Sequence, residues 1–167
     1  MKRLFLSIVW KGRKGGMTLS EELLNKVRRI LLYIAFLMVA FFFSYILAYP
    51  LGYSPLGYEV VKNHDNTVVV QSLNTWGIEE ERITYQAPEE DKWKAEALVD
   101  RIERQPMEYH LFFTSIMVAV FWLGMEVRKG QSLKKVLVLS GFYVFVSGLS
   151  LIRHLRDIQE ILEGTLY

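Results

Sequence analysis

Hydrophobic positions in this chain come first as long runs and only locally as alternation. The longest run, Ile30–Tyr49 (ILLYIAFLMVAFFFSYILAY), has twenty consecutive residues without a charge. At roughly 1.5 Å of rise per residue such a helix reaches about 30 Å, the thickness of a bilayer's hydrocarbon layer. Two more uncharged runs, Tyr109–Met125 and Val136–Ile152, hold seventeen residues each, the lower edge of the spanning range. The short basic segment between them makes the pair read as a transmembrane hairpin. The pattern predicts an integral membrane, mainly α fold: three transmembrane helices, with a small extracytoplasmic α+β insert between the first and second spans.

The insert is where the period shortens. Tyr58–Lys62 and Thr67–Leu73 are β-branched segments bracketing Asn63-His64-Asp65-Asn66, the chemistry of a hairpin turn, and Arg82–Gln86 is a third strand candidate. Pro88-Glu89-Glu90-Asp91 then opens a helix, with proline and acids in its first turn as the helix dipole favours. Trp93, Ala97, Leu98 and Ile102 give that helix an apolar stripe, and Gln105-Pro106 is expected to break it before the second span.

These boundaries divide the chain into seven segments. A basic N-terminal segment, 1–17, is interfacial or disordered. A helix over 18–49 starts in the cytoplasm and continues through the first span. The α+β insert covers 50–108, the second span 109–126, a short basic loop 127–135, the third span 136–152 and a helical tail 153–167. Thr18 with Glu21 reads as a capping box for the first helix, and Gly130 and Ser132 as the C-terminal and N-cap residues of the loop's flanking helices. Met17 is an alternative start, which would remove residues 1–16 from the protein.

Charge adds orientation. The formal net charge is only +2. Eight Lys/Arg precede Ile30, however, and Arg128, Lys129, Lys134 and Lys135 lie in the loop, whereas 50–108 carries six Lys/Arg against twelve Asp/Glu. The positive-inside rule then places the N-terminus and the loop in the cytoplasm of a plasma (inner) membrane, near anionic lipid headgroups, and the insert and C-terminus outside. There is no cysteine to staple the insert, so it must borrow its core from the membrane helices. Basic residues beside membrane spans have headgroups as their nearer partner, which argues against nucleic acid.

Small residues mark where helices should meet. Ala40, Ser44 and Ala48 recur every four residues on the first span, Ser115 and Ala119 on the second, and Gly141 and Gly148 one heptad apart on the third. In lipid such seams let backbones approach closely. The first seam is expected to meet either the hairpin or a second copy. Leu151, Leu155, Ile158 and Leu162 form a heptad-like stripe that carries the third helix beyond the membrane. Its expected partner is the Trp93 helix or another protein.

Gly16-Met17-Thr18-Leu19-Ser20-Glu21 is similar to the cleavage motif of type IV prepilins, with a basic leader, a glycine before the cut and a glutamate at the fifth mature position. The likeness covers six residues. Prepilins follow it at once with an apolar helix, whereas this chain continues with Glu22, Lys26, Arg28 and Arg29 and has three spans, so no function is taken from it.

No nucleophile elbow, phosphate loop, zinc motif or metalloprotease helix occurs, and no catalytic residue is assigned. His110 and His154 are placed near the outer ends of spans two and three, where a haem or metal could be held between them; Arg153 and Arg156 beside His154 oppose a cation, and no cofactor is assigned. The leading expectation is a small membrane protein acting by contact with a protein partner through its outer domain and C-terminal helix: an accessory subunit, an assembly factor or a toxin-immunity protein. The alternatives are a haem- or metal-binding membrane subunit using His110 and His154, and a homo-oligomeric pore built on the Ala40 seam.

Overall fold

The computed structural model describes residues 2–64, 66–129 and 133–164. Three helices, α1 (Lys2–Ala48), α2 (Lys92–Arg128) and α3 (Leu133–Leu162), frame strands β1 (Tyr58–His64), β2 (Thr67–Leu73) and β3 (Glu79–Gln86), with a single 3-10 turn at Glu89–Asp91 before α2. All three helices are long and apolar enough to cross a bilayer, which marks the chain as a membrane-embedded protein. The expected Gly130 and Ser132 caps and Asp65 of the hairpin turn fall outside the described residues.

The chain divides into two units after Val39. The first is the greater part of α1. From Leu23 to Val39 its large apolar side chains are about half exposed or more on nearly every face, the surface of a helix whose neighbour is lipid. The helix begins at Lys2 instead of at Thr18, so positions 18 and 21 lie inside it and not at its start. Gly12, Gly15 and Gly16 weaken a helix by only about 1 kcal/mol each, and there is no proline to end it.

The second unit, from Ala40 onward, contains the end of α1, the sheet and the α2–α3 hairpin. The sheet is antiparallel in the order β1-β2-β3, with register shifts at Val60/Lys62 and at Gln71/Leu73. β2 lies centrally and is the best buried strand. Val68 and Val70 pack with Ala95, Leu98 and Ile102 of α2 and with Ile158 and Ile161 of α3. The insert thus draws its core from both helices, as its size required.

Two expectations for α2 are corrected. Pro106 lies within α2 and does not end it. An interior proline costs about 3 kcal/mol, but the turns around it carry Ile102, Gln105 and Tyr109, all buried, so packing on both sides holds the helix through it. The stripe on α2 is also rotated from the one expected: Ala95, Leu98 and Ile102 are buried while Trp93 is exposed. The Trp93 indole donates to Asp91, and the Lys94 ammonium lies 5.7 Å from its ring centroid.

Candidate functional site

Side-chain pairs run along the α2–α3 hairpin. Arg101 pairs with Asp157, the Glu108 carboxylate accepts from Ser150 at 2.8 Å, and Ser115 and Ser147 are bonded at 2.6 Å. Positions advance on α2 as they recede on α3, so the helices are antiparallel over about 15–21 Å at roughly 1.5 Å per residue. This register separates the two histidines. His154 bonds through Nε2 to the Arg101 carbonyl at 2.8 Å, nine residues and about 13 Å along α2 from His110. His110 turns instead toward the end of α1. The expected common depth of His110 and His154 is therefore corrected: His154 meets α2 at Arg101, short of His110.

His110 belongs to a different cluster. Ser44 is completely buried and donates to the Phe41 carbonyl at 3.0 Å, while its Oγ lies 2.9 Å from His110 Nδ1 and 2.5 Å from Thr114 Oγ1. A hydroxyl has one proton and two lone pairs. Ser44 Oγ is thus the shared partner of His110 Nδ1 and Thr114 Oγ1. The other ring nitrogen is Nε2. It is buried without a hydrogen-bond partner among the described residues, and the rings of Phe41, Tyr45 and Tyr49 surround the imidazole edge-on at 4.4, 6.1 and 6.2 Å.

The seam residues Ala40, Ser44 and Ala48 are all buried. Ser44 meets α2, and Ala48 packs with Tyr109 and Leu151, so from Ser44 onward this seam is spent on the chain's own hairpin. On the hairpin, Ser115 is buried and a Cβ at Gly148 would touch Phe112 at 3.4 Å, but one at Gly141 would meet nothing within 4 Å. Gly141 and Ala119 line an open apolar groove with Val144 and Phe145. The stripe on α3 is likewise used internally. Leu151 and Ile158 are buried, Leu155 and Leu162 partly so, and Ile161, which the heptad reading missed, is buried beside them.

Above His110, on the side of the sheet, a cleft of about 600 Å³ opens between β1 and α2. Ala48 and Tyr49 lie between the two features, lining the cleft while packing against Tyr109 and His110 respectively. The wall is tied in place by Gln105, whose carboxamide accepts from the Tyr58 N–H at 2.9 Å and donates to the Tyr58 carbonyl at 3.3 Å. Two bonds to one residue's backbone occupy the free edge of β1 at its start. Burial, and secondarily Glu163, raise the Tyr58 phenol above its ordinary pKa, so it stays neutral. The cleft is apolar at Val60, Leu73, Ile102 and Pro106 and carries the exposed carboxylates Glu59, Glu79 and Glu103, with no lysine or arginine among its lining residues. Glu89 and Asp91 bond to Lys92 and Lys94 and are held below the usual carboxylate range by them.

Neither Gln105 nor Thr114 was expected as a site residue. Gln105 was read with Pro106 as a breaker. Thr114 carried a usable signal, since it lies one helical turn after His110 and therefore shares its face. Fold and site define a membrane-embedded protein of three helices with a sheet-capped hairpin. Set against family models, curated proteins and solved structures, the chain matches none.

Proposed function

We propose that the protein works by contact: it is an accessory or assembly-type membrane protein whose sheet module receives a basic segment of a protein partner. The observation that carries this reading is the cleft between β1 and α2, where three exposed carboxylates stand over an apolar floor with no cation among the lining residues. Such a lining favours an extended segment with lysine or arginine beside apolar residues, because the charges would steer it and the floor would supply burial. The C-terminal stripe is not the docking surface in this proposal, since Ile158 and Ile161 already form the chain's own core. The basic residues before Ile30 and at 128–135 support an inner-membrane orientation with the N-terminus cytoplasmic and the sheet and C-terminus outside.

The test is a photo-crosslinker at position 54, which also lines the cleft, in the full chain in its own membranes, read with and without the triple substitution E59Q/E79Q/E103Q. A discrete protein adduct that disappears in the triple variant is expected. Adducts of unchanged pattern and yield after neutralising all three carboxylates would overturn the reading.

A second reading, a haem- or metal-binding subunit, is favoured by one observation, the unpartnered and buried Nε2 of His110. It now rests on His110 without His154, whose Nε2 is bonded to a carbonyl. A Soret band or stoichiometric metal lost in H110A would support it; a colourless, metal-free native preparation would remove it.

A further inference from the structure

The turn between β2 and β3 is rigid and apolar at once. Asn74 Oδ1 accepts from the backbone N–H of Trp76 at 2.8 Å and of Ile78 at 3.1 Å. The Asn74 N–H donates to the Ile78 carbonyl and the Gly77 N–H to the Asn74 carbonyl, both at 2.9 Å. Gly77 has φ +72°, a conformation that glycine adopts without strain. A loop with its backbone satisfied in this way has no need of a large side chain at its tip, yet it displays Trp76 at 74% and Ile78 at 61% exposure.

Its depth is fixed by neighbours. A Cβ on Gly77 would lie 3.3 Å from the Tyr53 ring, and that ring stacks on Phe113 with centroids 6.0 Å apart. Phe113 is one turn inside the apolar run that starts at Tyr109. The link after α1 joins at the same level: the Leu56 N–H donates to the Asn74 carbonyl, and Leu51 and Leu56 are exposed at 65% and 58%. Leu56 holds a positive φ of 62°, strained for a leucine, and still presents its side chain outward.

We infer that this turn is an interfacial anchor: Trp76 and Ile78, with Leu51 and Leu56, sit at the boundary between headgroups and acyl chains of the leaflet on the sheet side. Through Tyr53 the turn is linked to Phe113, inside the apolar run of α2. Tryptophan and tyrosine suit that boundary because each joins an apolar ring to a hydrogen-bonding group. Glu79–Glu81, which follow at once, are exposed and remain on the aqueous side. The anchor fixes the distance between the sheet and the membrane, and with it the height of the Glu59, Glu79 and Glu103 cleft.

The full chain is reconstituted in phosphatidylcholine vesicles with Trp76 as its sole tryptophan (Trp10, Trp93 and Trp122→Phe). Emission blue-shifted from that of tryptophan in water is expected, quenched more by lipids brominated near the headgroup than by lipids brominated near the chain end. Emission at the water position with quenching by aqueous iodide would overturn the inference, and so would a blue shift without brominated-lipid quenching or with stronger quenching from the deep bromines. Since the chain has no cysteine, I78C carrying a spin label gives an independent reading: greater collision with oxygen than with an aqueous nickel chelate is expected, and the reverse order counts against the anchor.

Discussion

The two ends of the α2–α3 hairpin use the same kinds of residue to different effect. Toward the sheet, Leu98, Ile158, Tyr109 and Ser115 are almost wholly buried, and hydrogen bonds cross between elements at Gln105, His110, Ser115, Ser150 and His154. Toward the connecting turn, Gly141 has open space beside it, and Leu137, Val138, Phe142 and Phe145 are more than half exposed. At the first end the sheet lies over the helices, and around Leu98 and Ile102 packing against it takes apolar surface out of water. Lipid is as apolar as leucine, so at the second end only close packing and polar pairs would draw helices together.

That contrast can be broken from either end. Leu98→Ala should have the largest effect, because Leu98 is fully buried among Val68, Val70 and Ile158; a loss of about 2–5 kcal/mol is expected, read as denaturant unfolding in micelles and as protease cleavage of the sheet. Gly57→Ala comes next. Its new Cβ would lie 2.5 Å from Gln105 Nε2 and 2.8 Å from the Ser54 carbonyl oxygen, so the Gln105 clamp must open, at about 1–3 kcal/mol, with faster hydrogen exchange at Tyr58. Ser44→Ala strips both His110 Nδ1 and Thr114 of their shared partner and should cost roughly 0.6–1.7 kcal/mol in a bilayer; Ser44→Thr, if it keeps the hydroxyl bonds, should recover part of the loss. Gly141→Ala should cost nothing measurable, since nothing lies within 4 Å of its Cβ, and up to about 1 kcal/mol of gain follows from helix propensity. A loss at Gly141 equal to that at Gly57 would show that the turn end is packed as tightly as the sheet end.

Much of this was legible in sequence because it depends on short-range periodicity. The three apolar runs became three helices, and Thr67–Leu73 was a strand with the bounds expected of it. The errors share a cause. Pro106 was weighed as a local breaker, but tertiary burial of Ile102, Gln105 and Tyr109 outweighed its local cost. Trp93 was placed on the apolar stripe by its composition, yet the sheet approaches the face carrying Ala95 and Leu98, one step around the helix. The His110 cluster depends on a crossing between residues sixty-six positions apart, which no local pattern contains.

By itself, then, the sequence determined what depends on the solvent a segment prefers: which stretches enter a bilayer, where the polar module lies between them, and, through the uneven lysine and arginine, an expected orientation. The tertiary structure decided what depends on rotation and register. A helix face turns by about 100° per residue, so a one-residue difference in how α2 meets β2 exposes Trp93 and buries Ala95. A hairpin offset of a few residues separates His110 from His154 and gives His110 to Ser44 instead. Such choices are set by the summed packing of distant elements, which is why they appear only when the chain is folded.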